Sequence, residues 1–132
     1  MEIEIQDLSR DPADRRLEVG AGRAAVWLHL TEQGRDLVLR IGGGDAHVGA
    51  VATVSPAGGT AGEACEELAV VPGHKEGPLA LAAARRLAAA GRRTCVCVAG
   101  IHQDAITPAE IAAVLAHVEA GVERLAEGLE VL

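Results

Sequence analysis

Apolar and polar residues alternate in short runs through the first seventy positions, and then the period changes. The segments "AAVWLHL" (24–30) and "DLVLRI" (36–41) have the β-branched content and partial alternation of strands. "TEQGRD" between them supplies a glycine-containing turn, so the pair predicts a hairpin. A third strand is expected in "HVGAVATV" (47–54), after the triple glycine of "IGGGDAH", and a fourth around 66–71, with "SPAGGTAGEA" as a glycine-rich surface loop between them. The opening "MEIEIQ" alternates cleanly and reads as an edge strand.

The helical period begins near Pro78, which suits a first helical position because its missing N–H would have no intrahelical partner. That helix runs through "LALAAARRLAAA" with Gly91 as its stop. Arg85, Arg86, Arg92 and Arg93 fall in or just past its last turns, where positive charge meets the negative end of the helix dipole. A short buried strand, "TCVCVAG" (94–100), follows. Thr107, Pro108 and Glu110 then form a capping box that starts a second helix, along which Ile111, Leu115, Val118, Val122, Leu125 and Leu129 make one apolar stripe for packing on the sheet or for a dimer.

The order of elements predicts one α+β domain over residues 1–132, with a mainly antiparallel sheet, two helices and a variable N-terminal segment over 1–22. The segment from strand 66–71 through the first helix to strand 94–99 is long enough for a crossover, which makes those two strands parallel and brings their C-terminal ends to one edge.

Composition narrows the function. Trp27 is the sole aromatic residue, so the core is built from Val, Leu, Ile and Ala. One ring and a net charge of -7 argue against nucleic acid, whose binders use aromatic platforms along basic grooves. The N-terminus carries acids from its second residue, and no window approaches a membrane span, so a soluble cytoplasmic protein is expected. Cys65, Cys95 and Cys97 form no zinc spacing or disulfide framework, and "TCVCV" reads as two small residues buried on one strand face.

Candidate chemistry lies in three loops. "PGHKEGP" follows one crossover strand and "GIHQDAITP" the other; each has a glycine, a nearby histidine and a proline-initiated helix. Helix N-termini present unpaired N–H groups, so a phosphate or carboxylate is the natural ligand, with Lys75 adding a point charge and His74 a hydrogen bond or a second charge. Gly73 and Gly77 allow close backbone approach. "GGGDAHVG" adds Gly42, Gly43, Gly44, Asp45 and His47. His47, His74 and His102, with Asp45 or Asp104, could also supply metal ligands, but their spacing is not diagnostic and a metal is not expected. His29 and His117 read as structural side chains.

These segments carry a resemblance. "GGDAHVGAVA", "PGHKEGPLA" and "AGIHQDAITPAEI", in that order and before a long terminal helix, resemble the small D subunits of gallate and hydroxybenzoate decarboxylase systems, a prenylated-flavin chaperone-like family. The resemblance covers roughly residues 23 to 128. It implies a fold similar to that of proteasome assembly chaperones, and a non-catalytic accessory protein that binds prenylated flavin mononucleotide and supports a UbiD-like decarboxylase large subunit. A homodimer or higher oligomer is expected besides. Matching positions are Gly43, Gly44, Asp45 and His47; Gly73, His74 and Lys75; and Gly100, His102 and Asp104. Two other readings stand beside it: a protein-only assembly scaffold, and a small enzyme using His74 or His102 as acid or base.

Overall fold

In a computed structural model, residues 2–56 and 65–130 are described; most of the expected "SPAGGTAGEA" loop lies outside them. Strands β1 (Ile5–Asp11), β2 (Asp14–Val19), β3 (Val26–Gln33) and β4 (Asp36–Gly44) form an antiparallel meander, with a single 3-10 turn, Gly22–Ala24, before β3. Then come β5 (Ala50–Ser55), β6 (Cys65–Val70), helix α1 (Gly77–Gly91), β7 (Cys95–His102) and helix α2 (Pro108–Glu130). The described strands make one seven-stranded sheet in the order β1-β2-β3-β4-β7-β5-β6. Only β4–β7 is parallel, so the α+β, mainly antiparallel architecture is as expected.

Alternation decides which side chains enter the core. Leu28 and Leu30 on β3, Leu37, Leu39 and Ile41 on β4, and Cys95, Cys97 and Ala99 on β7 point to the helix-covered face. Ala80, Ala83, Ala84, Leu87 and Ala88 of α1 close over β5 and β7, and Val118, Val122, Leu125 and Ala126 of α2 complete the layer. Small alanines bring α1 close to the sheet, which is how a core without Phe or Tyr fills its space. Burial pushes the Cys95 thiol up to about 12 and the Cys97 thiol higher still, so both are held as inert neutral thiols; Cys65 is exposed.

Several boundaries differ from the sequence expectations. The N-terminal segment is a β1–β2 hairpin built into the sheet, and Leu17 and Val19 of β2 are fully buried. The edge strand is thus Ile5–Asp11 and not "MEIEIQ". Strand β5 begins at Ala50, leaving His47–Gly49 in a loop, because the amide of Gly49 bonds the Ala99 carbonyl where the strand turns in. Strands β4 and β7 both run further than their apolar runs, through Gly44 and His102, because each supplies the other's backbone partners: Gly42 faces Gly100 and Gly44 faces His102. Gly43, Gly44, Gly100 and His102 therefore belong to strand ends and not to free loops.

The helices start where expected. Pro78 lies in the first turn of α1, and α2 is capped reciprocally: the Glu110 amide donates to Thr107 Oγ1 (3.1 Å) and the Thr107 amide to Glu110 Oε1 (2.9 Å). The stripe on α2 divides, however. Val118, Val122, Leu125 and Leu129 are buried with Val114 and Gly121, whereas Ile111 and Leu115 are about half exposed, at 45% and 50%. The arginines of α1 and just past it are fixed by carboxylates: Arg85 by Glu66, Arg86 by Glu123 and Glu130, and Arg93, beyond the helix end, by Glu32. Gly91 also does not supply the left-handed stop. It packs near Leu37 and Leu129 inside the helix end, and the residue at φ 54° is Arg92. A side chain in that region costs about 1–2 kcal/mol, partly offset by the greater unfolded-state freedom of glycine, about 0.5–1 kcal/mol. Arg92→Gly is expected to raise stability by about 0.5–1 kcal/mol in urea unfolding.

Candidate functional site

The crossover from β6 to β7 sets the two strands parallel without making them neighbours. β6 and β7 run the same way, with β5 antiparallel to each between them, and β4 is parallel to β7. The C-terminal ends of β4, β6 and β7 consequently lie on one edge of the sheet, and each is followed by one of the histidine-bearing segments.

The three histidines meet there. The rings of His47 and His74 are 4.8 Å apart between centroids, and those of His47 and His102 are 6.4 Å apart and nearly perpendicular. Backbone carbonyls fix two of the tautomers. Asp45 O accepts from His47 Nδ1 (3.1 Å), and Val71 O and Pro72 O lie 3.2 Å from His74 Nδ1, so each ring presents Nε2 away from its own loop. His102 Nε2 donates to Asp104 Oδ1 at 3.0 Å.

A cleft of about 460 Å³ opens over these rings. Asp45, His47, Gly73, His74, Lys75 and His102 line it, with Glu76. Its far wall is aliphatic: Leu79 of α1, Ile101 at the end of β7, Ile106 in the segment that follows, and Ile111, Val114 and Leu115 of α2. This explains the half-exposed stretch of the α2 stripe, which faces the cleft and not the sheet. A second apolar groove of about 620 Å³ between α1 and α2 shares Lys75, Leu79 and Leu115 with it.

Other expected site residues shape the cleft, and of these only Gly73 also lines it. Gly100 is buried, and a Cβ there would overlap the His47 carbonyl, so its bare Cα is what lets the His47 loop cross β7. Gly44 (φ 57°) and Gly73 (φ 84°) take left-handed turns out of their strands. Gly43 is a buried strand residue packed near Ile101. Asp104 is almost wholly exposed and acts only through His102.

The charge balance is mixed. Lys75 is the fixed cation of the cleft, at the amino end of α1, where Gly77 and Leu79 have amides without intrahelical partners. Glu76 Oε1 lies 3.5 Å from His47 Nε2, and the carboxylate rests against the bare Cα of Gly49. His47 Nε2 and Glu76 Oε2 are buried with no hydrogen-bond partner. Among the described residues no group of three or more His, Cys, Asp or Glu is arranged to hold a metal ion.

Sequence reasoning missed Arg23. Its guanidinium bonds Glu110 Oε2 (2.7 Å) and the Asp104 carbonyl (2.5 Å), pinning the segment between β7 and α2. The Thr107 amide and Arg23 hold the Glu110 carboxyl below its ordinary range. An arginine far away in sequence leaves no local signal of such a role. The aliphatic wall was also missed, and Trp27 stands elsewhere, over Gly42 on the face opposite the helices. His29 pairs with Asp14, and His117 donates to the Ala24 carbonyl, as structural side chains.

Residues 20–130 match the family model described as the prenylated flavin chaperone LpdD-like domain. No curated protein matches the chain. Among solved structures, the crystal structure of a novel chaperone complex for yeast 20S proteasome assembly aligns over 98% of this chain and 99% of that one, at 12% identity and a TM-score of 0.44.

Proposed function

Because the chain belongs to the prenylated flavin chaperone LpdD-like family, we propose that it binds a prenylated flavin mononucleotide-type cofactor in the histidine cleft and supports a UbiD-like aromatic acid decarboxylase. The observation that carries this reading is the convergence of His47, His74 and His102 beside Lys75 and the amino end of α1. A phosphate there meets partner-free amides and an ammonium, and the helix dipole favours its charge.

The residues present fit such a ligand. The Lys75 end of the cleft takes the anion, and Leu79, Ile111 and Leu115 offer an aliphatic surface for an apolar ring or prenyl group. The orphaned Nε2 of His47 and Oε2 of Glu76 are polar atoms available to ring heteroatoms. The bound cofactor supplies the chemistry of decarboxylation within the large subunit; this chain holds, orients and screens it and contributes no catalytic residue. The family resemblance supports the decarboxylase as partner, and the charged, non-basic surface suits a protein partner better than nucleic acid.

Isothermal titration with prenylated flavin mononucleotide, flavin mononucleotide and riboflavin tests the site. The two phosphorylated ligands are expected to bind at micromolar concentration, and riboflavin at least about tenfold more weakly, the worth of one charge-assisted phosphate contact. Equal affinity for riboflavin would remove the phosphate from the proposal, and no binding of any flavin would remove the cofactor.

A further inference from the structure

The two edges of the sheet are built differently. At β1, the register slips between Asp7 and Ser9, Arg10 and Asp11 close the strand, and Asp7 is held by Arg15 and Arg124. A bulged, charged edge of this kind resists pairing with another strand. β6 carries charge at Glu66 and Glu67 but has no bulge. Every residue from Cys65 to Val70 is exposed, and Leu68, Val70 and the following Val71 are among the large apolar side chains left open, at 41%, 44% and 42%. The register of β6 with β5 is unbroken.

Hydrogen-bond direction shows which groups have no partner among the described residues. The Val71 amide donates to the Gly49 carbonyl (2.9 Å) and the Cys65 amide to Ser55 Oγ (3.0 Å), so the odd-numbered residues turn toward β5. By the alternation of an antiparallel ladder, the N–H and C=O of Glu66, Leu68 and Val70 point out of the sheet.

We propose that two copies of this chain pair edge to edge through β6, antiparallel, about a two-fold axis at Leu68. This register sets Leu68 opposite the partner's Leu68, Glu66 opposite the partner's Val70, and Glu67 opposite the partner's Ala69. Each outward-facing residue then meets another outward-facing residue, which closes about six inter-strand hydrogen bonds. Charge excludes one neighbouring register. An axis at Glu67 would place two carboxylates directly opposite one another, which is destabilising, whereas at Leu68 no acid faces an acid. Glu66 is already neutralised within its own chain by the two bonds from Arg85 (2.6 and 2.7 Å). Leu68 and Val70 lie on the helix side, opposite Ala52 and Ala50, where the bare Cα of Gly77 leaves them room. Pairing covers both side chains on a continuous two-copy sheet. The two histidine clefts then sit at opposite ends of the joined strands, so the dimer does not depend on the ligand reading.

The mass of the whole chain by analytical ultracentrifugation, together with amide hydrogen exchange, tests the pairing. The wild-type chain is expected to sediment as a dimer with a Kd below about 10 μM. The amides of Glu66, Leu68 and Val70 are expected to exchange more than about tenfold slower than in dilute monomer. Leu68→Lys places two ammonium groups at the axis and is expected to give a folded monomer; Ala69→Lys sets a lysine against the partner's Glu67 and keeps the dimer. A wild-type chain monomeric at about 100 μM, or a dimer whose three outward amides exchange as fast as unprotected peptide, overturns the proposal. The exchange measurement decides even if Leu68→Lys fails to fold.

Discussion

Gly100→Ala is expected to cost about 2–3 kcal/mol of stability, the upper range for forcing an extra methyl into a packed site, and to lower Tm by roughly 10 °C. The added Cβ would overlap the carbonyl oxygen of His47 and stand 2.5 Å from its carbon, and backbone cannot rotate away as a side chain can. The His47 amide also bonds the Gly100 carbonyl at 3.4 Å, so the loop is held on both sides of the collision. Relief requires the His47 loop to lift off β7, separating His47 from His74 and His102. Flavin affinity should therefore fall in the same variant even well below its Tm. Thermal unfolding by circular dichroism checks the first half of this expectation. An unchanged Tm would mean that the loop moves without cost and that the glycine is not what seats His47.

Lys75→Glu should do the opposite: leave the fold alone and remove the ligand. Lys75 is exposed and makes no ion pair among the described residues, so its exchange is expected to change stability by less than about 0.5 kcal/mol. It is the fixed cation of a cleft that already contains Asp45 and Glu76. Reversing it leaves the partner-free amides of α1 and the histidines alone against three carboxylates. Affinity for flavin mononucleotide is expected to drop on the order of 100-fold, about 2.7 kcal/mol, with riboflavin little affected. Competition titration at constant ionic strength would read this, and an equal loss for both ligands would place the phosphate away from Lys75.

The parts of this protein that were legible in its sequence are those whose causes are local. The capping box of Thr107 and Glu110 needs four adjacent residues and appears as written. The β3–β4 hairpin follows from alternation around one turn. β2 escaped notice because "DRRLEV" dilutes two core residues, Leu17 and Val19, among charges that face the other side. The far ends of β4 and β7 escaped for a different reason. Glycine triplets read as punctuation, and it is the partner strands across the sheet that give Gly42 and Gly43 an extended path.

The site divides in the same way. That the segments after β6 and β7 share one edge followed from strand direction, which a crossover fixes; that the His47 segment joins them depends on β4 lying parallel to β7, a pairing with no local signal. The Glu76–His47 contact and the wall of Leu79, Ile111 and Leu115 depend on how far each helix is rotated about its axis, a quantity no single segment encodes. Ile111 and Leu115 continue the same stripe as Val118 and Val122, and nothing local marks where the sheet ends and the cleft begins.

The position of β7 between β4 and β5 bears on how this chain comes to be folded at all. As the polypeptide leaves the ribosome, β1 to β4 form a meander that closes through neighbouring turns, and β5 with β6 can follow as a separate hairpin. Neither piece has its inner partner until residues 95–102 are made, and Leu37 must wait for Cys95. During that interval both pieces carry a bare apolar strand. Joining them requires a long loop closure before any contact rewards it, which makes insertion of β7 the slow step. Nascent chains that stall before Cys95 are accordingly the form of this protein most exposed to aggregation.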